Sequence, residues 1–180
     1  MNRLIRQHFA IAVVAGFAWM GAQAAAQERP GPIAELAVGS LTFPDDGSVT
    51  ETFVGGAVRF HVSPRVSVGP EVAYVSGDKA VGRLVDHSHL MLTGNATFDF
   101  LSPVNGRPRQ VTPFFVAGGG LFRTREQFPN DVFTHTEGAF TAGGGVRALV
   151  GDRVTIGIET RIGWELHVRV NGMVGVRLSD

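Results

Sequence analysis

The stretch RVTIGIETRIGW, from Arg153 to Trp164, changes character at every residue. Val154, Ile156, Ile158, Ile162 and Trp164 share one side with Thr160. Arg153, Thr155, Gly157, Glu159, Arg161 and Gly163 share the other. A period of two is the signature of an extended strand, whose successive side chains point to opposite faces of a sheet. The following run HVRVNGMVGVRL repeats it: Val168, Val170, Val174, Val176 and Leu178 oppose His167, Arg169, Asn171, Met173 and Arg177. Upstream, Val54, Val58, Phe60 and Val62 face away from Arg59 and His61, and Val66, Val68, Val72 and Tyr74 away from Ser67, Gly69 and Glu71. Leu90, Leu92, Ala96, Phe98 and Phe100 likewise oppose Thr93, Asn95, Thr97 and Asp99. No stretch after residue 30 carries helical periodicity, so the fold class is all-β.

Eight such segments are predicted, at about 33–43, 52–62, 65–76, 88–101, 113–125, 136–149, 153–164 and 167–178. They exceed the ~5–6 residues usual for globular strands and suit the ~9–11 that a tilted strand needs to cross a bilayer. Short turns are expected at Ser63-Pro64 and Gly151-Asp152, and longer polar loops at 44–51, 77–87 and 126–135. The connections at 102–112 (long) and Glu165-Leu166 (short) break that alternation. A soluble sandwich or lipocalin-like barrel would alternate too, with its apolar face inside. Strand length, the aromatic residues at strand ends and a polar face balanced in charge favour the opposite arrangement, polar inside and apolar toward lipid. Phe60, Phe98, Phe100 and Phe114 are assigned to a ring at the short-turn end, Tyr74 and Trp164 to one at the loop end.

Composition agrees. With 180 residues the chain holds one domain, and 24 glycines, about 13 per cent against a usual ~7, suit tightly curved strands. The absence of cysteine excludes disulfides, thiolate metal sites and cysteine nucleophiles. Sixteen basic against sixteen acidic residues give no reason to expect nucleic acid as a partner. Residues 1–26 read as a secretory signal peptide: Arg3 and Arg6, a short apolar run from Phe9 to Trp19, then Ala22-Gln23-Ala24 and Ala24-Ala25-Ala26 as cleavage signals. The run is about half of what a spanning helix requires. Residues 27–180 then form the barrel domain, with 14 basic and 16 acidic residues once Arg3 and Arg6 are removed.

The strings PFFVAGGGLF (113–122), FTAGGGVRALVGDRVTIGIETRIGW (140–164) and VNGMVGVRL (170–178) resemble the small eight-stranded outer-membrane barrels, the group of OmpX-like proteins and the OmpA transmembrane domain. The resemblance covers nearly all of the chain after the signal peptide and is one of pattern. It implies an antiparallel up-and-down transmembrane barrel of the cell outer membrane, with outer-membrane lipids as partners. It also implies periplasmic chaperones and an outer-membrane insertion machine during biogenesis. Such proteins usually end on an aromatic residue, whereas this strand ends Val176-Arg177-Leu178.

The faces place Glu35, Glu71, Asp99, Glu137 and Glu159 in the lumen with Arg59, Arg147, Arg161, Arg169 and Arg177. An eight-stranded interior is just wide enough for side chains to fill, so these charges are expected to pair and to plug it rather than leave a pore. The glycine repeat, Phe115-Val116-Ala117-Gly118-Gly119-Gly120 and Phe140-Thr141-Ala142-Gly143-Gly144-Gly145, lacks the following helix of a phosphate-binding loop and is read as room for lumen side chains. Asp86-His87-Ser88-His89 is the one cluster with ligand character: His87 and His89 share a face, and His135 is a candidate third ligand in space. The more economical reading is a set of polar rim residues. A lipid A-modifying hydrolase would need Ser88 to meet His87, yet neighbours on a strand point apart. No catalytic, metal or cofactor residue is therefore assigned. The polar loops, with Asp45, Asp46, Asp78, Lys79, Glu126 and Asp131, are candidates for contact with a surface partner. The expected function is a structural or surface-interaction role without catalysis, against a narrow pore, a lipid A-modifying enzyme or a soluble ligand-binding barrel.

Overall fold

The computed structural model describes residues 31–44, 49–77, 86–102, 104, 109–163 and 167–178. The expected signal peptide, Trp164, and the loop residues Asp45, Asp46, Asp78 and Lys79 lie outside them. Eight strands follow in order: β1 (Ile33–Phe43), β2 (Val49–His61), β3 (Val66–Gly77), β4 (Asp86–Asp99), β5 (Val111–Gln127), β6 (Val132–Val150), β7 (Val154–Gly163) and β8 (His167–Arg177). Each pairs antiparallel with its sequence neighbours, and β1 pairs with both β2 and β8, so the sheet closes. Closure satisfies every strand's backbone groups without an edge, the condition for spanning a bilayer with strands.

The short-turn end is built by local chemistry. Between β2 and β3, the Ser63 hydroxyl accepts from the backbone N–H of Val66 at 3.0 Å, and Val62 N–H donates to the Val66 carbonyl at 2.9 Å. Between β6 and β7 the chain turns through Gly151 at φ 67°, a left-handed conformation that glycine adopts without steric cost. The end of β4 and the start of β5 lie at this same end, where Phe100 N–H meets the Pro113 carbonyl at 3.1 Å. Ile33 pairs with Arg177, so both ends of the barrel's chain also lie here.

The outer surface carries the apolar positions. Leu36, Val38, Leu92, Ile156, Ile158, Val170 and Val174 all face outward, Ile158 being 68% exposed. Phe60, Phe98 and Phe100 stand outward at the short-turn end, Phe98 and Phe100 edge to face at 5.5 Å, and Tyr74 stands outward toward the other end. From Phe100 to Leu90 are ten residue steps, about 33 Å along the strand and roughly 25 Å along the axis at a tilt near 40°, the height of a bilayer's apolar band. At Leu90 the partner on β5 is Arg123, and above it Ser88 pairs with Arg125; both arginines are exposed.

Phe114 departs from expectation. It is 4% exposed and points into the lumen beneath the Arg147 guanidinium, 4.4 Å from its ring centroid, while Phe115 takes the outward position. Two consecutive phenylalanines hide the alternation, and cation–π contact with Arg147 compensates for an aromatic ring among charges. Several strands also begin or end beyond their expected limits. β2 starts at Val49, so Glu51 belongs to the strand rather than to the loop. β5 and β6 continue to Gln127 and from Val132, leaving a four-residue turn where a ten-residue loop was expected.

Candidate functional site

The lumen is filled in three tiers. In the middle, Arg161 donates from Nε and Nη2 to the two Glu159 oxygens at 2.6 and 3.0 Å, and its Nη2 also lies 3.0 Å from Glu71 Oε2. Arg169 bridges the same acids, to Glu71 and, at 2.8 Å, to Glu159. Asn95 closes the group, accepting from Arg161 at 3.2 Å and donating to Glu71 at 2.8 Å. Two buried acids meet two buried arginines in planar, multi-donor geometry, which a lysine's single ammonium would not reproduce. Toward the short-turn end, Arg59 binds both Glu35 oxygens and Arg147 binds Asp99. Arg177 lines a cavity of about 40 Å³ beside Asp99 and Arg147, and a second of about 20 Å³ lies by Glu71 and Asn95. Spaces of this size hold a water or two.

Glu137 does not join this network. It sits toward the loop end, a quarter exposed, with His135 at 3.9 Å. The expected five-against-five pairing thus becomes four acids with four arginines in direct contact, and Arg177 at the cavity wall.

Above the charges lies a tier that the polar-inside rule does not anticipate. Leu41, Phe43, Phe53, Ala73, Val75, Met91, Phe122 and Ala139 pack as a buried apolar cluster inside the barrel. Phe53 also covers Arg169, whose guanidinium is 4.6 Å from the ring centroid. His89 stacks on Phe122 at 5.0 Å and meets Phe43 at 5.4 Å; His167 approaches the same two rings at 6.2 and 6.0 Å. Charges and aromatic rings together pack the inside of the barrel.

His87 and His89 share the inward face of β4, as expected, with ring centroids 5.0 Å apart. The third polar partner is Glu51 from β2, whose Oε1 lies 2.5 Å from His87 Nε2 and Oε2 3.7 Å from His89 Nε2. His135 is not that partner: its side chain is 75% exposed and faces Glu137. Glu51 escaped sequence reading because it was assigned to the loop; its spacing of two from Phe53 and four from Gly55 was the available signal. Ser88 takes the opposite parity from His87 and pairs with Ser76 and Arg125 on neighbouring strands, so no serine–histidine pair forms there. The glycine repeat faces the lumen at Gly118, Gly120, Gly143 and Gly145. A methyl group on Gly118 would stand 1.8 Å from Asn95 Oδ1, and one on Gly143 2.0 Å from the Thr160 carbonyl. The repeat therefore leaves room for Asn95 and for close strand approach, and strands follow both copies.

A closed eight-stranded antiparallel sheet, apolar outside and charged within, is joined by one further finding. The family model described as outer membrane protein beta-barrel domain matches residues 9–177. The chain belongs to that family. Among solved structures, this outer-membrane barrel is similar to Neisserial surface protein A at 15% identity, covering 82% of this chain and 96% of that one with a TM-score of 0.67. It is also similar to the N-terminal barrel of Pseudomonas aeruginosa OprF (12%, 83% and 97%, TM-score 0.58). Ail, the attachment invasion locus protein of Yersinia pestis, gives 11%, 83% and 97%, with a TM-score of 0.54. At these identities the likeness is one of fold. No curated protein sequence matches the chain.

Proposed function

We propose that this outer-membrane barrel serves a structural or surface-interaction role, without conducting solutes and without catalysis. The carrying observation is the filled lumen: the Glu71–Glu159–Arg161–Arg169 tier and the Phe43–Phe53–Phe122 tier lie across the bore, one above the other. Solutes would have to break buried ion pairs and displace packed rings to pass. Residues 1–26 direct export and are removed, and chaperones and an insertion machine deliver residues 27–180 to the outer membrane. Its lipids are the first partner: Arg123 and Arg125, the first outward charges above the apolar band, suit the phosphates of lipid headgroups.

The surface-interaction part rests on the β5–β6 ribbon, the longest pair of strands, which ends in a turn bearing Phe128 against Phe133 at 5.6 Å. Ail, similar in fold, has been solved with a heparin analogue, sucrose octasulfate, which makes a surface ligand compatible with such a barrel. Planar bilayer recording of the purified protein tests the non-conducting reading. No discrete conductance steps are expected, and reproducible steps would contradict it. The lipid A mass spectrum of cells producing the protein is expected to be unaltered; a deacylated or otherwise modified species would contradict the non-catalytic reading.

A further inference from the structure

The cluster of Glu51, His87 and His89 is assembled like a coordination site. One donor atom from each lies within 4.8 Å of the others. A zinc ion holding nitrogen and oxygen ligands at about 2.0–2.2 Å sets them roughly 3.4 Å apart, so side-chain movements of about an ångström would gather this set. Two imidazoles and a carboxylate with a fourth position open is an established zinc donor set.

Four surrounding features favour a cation over a plain ion pair. Thr124, opposite His89 on β5, has its hydroxyl 3.0 Å from His89 Nδ1. A hydrogen bond from Nδ1–H to that oxygen leaves the Nε2 lone pair turned toward Glu51, the outer-shell arrangement that metal-binding histidines carry. The rings of Phe43 and Phe122 flank His89 and fix its plane. Glu51 reaches His87 over an intervening strand: the inward residues of β3 run Glu71, Ala73, Val75, and the next is Gly77, paired with His87 and lacking any side chain to come between. The Glu51 side chain is 2% exposed, and a carboxylate so enclosed gains strongly from a divalent charge.

We propose that Glu51, His87 and His89 bind a first-row divalent cation, with zinc the best match, at the loop end of the lumen. His87, the most exposed of the three, faces the entry side. The bound cation joins β2 to β4 above the aromatic tier and tightens that end of the barrel. Calcium and magnesium, which prefer all-oxygen shells, do not compete.

The test uses untagged protein extracted from outer membranes in detergent, stripped with a chelator and titrated calorimetrically with zinc chloride. One zinc per barrel with a micromolar or tighter Kd is expected, together with no heat from calcium chloride. Zinc also raises the temperature at which the folded gel band is lost. Glu51→Gln and the double variant H87A/H89A bind at least about 100-fold more weakly and lose that rise; Thr124→Val binds about 10-fold more weakly. His135→Ala binds as the unaltered protein does. Absence of zinc binding up to millimolar concentration overturns the proposal, as does full binding by folded H87A/H89A. Should the variants not fold, the visible spectrum of cobalt(II) added to the unaltered protein decides. Bands of a four- or five-coordinate nitrogen-ligated ion support the site, and the spectrum of the hexa-aqua ion alone overturns it.

Discussion

Arg161 shows how single residues carry this structure. It holds Glu159 in a bidentate pair, touches Glu71 and anchors Asn95, so one guanidinium serves three partners. The ion pairs themselves add little net stability, since desolvation offsets much of the attraction; removing one member is what costs. Arg161→Leu is therefore expected to destabilise the barrel by about 3–5 kcal/mol, because it leaves Glu159 and Glu71 with Arg169 alone in a buried tier. Arg65→Leu, at an exposed site where among the described residues the guanidinium reaches the Phe100 carbonyl and the Phe98 ring, should cost under about 1 kcal/mol. Urea unfolding in lipid vesicles checks both, and equal stability of the two variants would mean a hydrated lumen rather than a packed one. The identity of these buried charges was legible in the sequence, because Arg and Glu recur on one face of β7 and β8. Phe114 and Glu51 were not. The first is masked by Phe115, and the second lies where a polar residue at a strand end resembles a loop.

At the scale of the element, β6 shows why glycines differ in significance along one strand. Gly143 faces inward, and a side chain there would strike the Thr160 carbonyl at 2.0 Å, backbone that cannot yield. Gly138, on the same strand, meets nothing within 4 Å. Gly143→Val should abolish the folded band on an unboiled gel. Gly138→Val should keep it, with the same or a higher transition temperature, since valine is the better strand residue. Loss of the folded band in both variants would contradict the assigned faces. The upper parts of β5 and β6 explain a different failure of legibility. Arg123, Thr124, Arg125 and Glu126 are polar on both faces, so once a strand rises beyond the apolar band its period of two leaves no hydropathy signal. Pro129, Asn130 and Asp131 marked the turn, yet nothing in the pattern showed how far the paired ribbon extends.

The whole molecule inverts the arrangement of a soluble protein through most of its height, with a sheet closed on itself, charges inside and aliphatic residues outside. Strand number, order and the turn at Gly151 followed from the period of two and from punctuation by glycine and proline. The apolar tier of Leu41, Phe43, Phe53, Met91 and Phe122 did not, because inward apolar residues oppose the polar-inside pattern that set the remaining strands. That tier blurred the faces of β1 and β5, and it packs the inside of the barrel above the charges. The most direct test of the arrangement exploits the absence of cysteine. A single Ile158→Cys carries a spin label in lipid vesicles, and its collisions with oxygen are compared with those of a water-soluble nickel chelate. Strong oxygen and weak nickel access is the expected result, placing Ile158 against the acyl chains. Weak oxygen and strong nickel access would put that face in water and contradict the lipid-facing barrel.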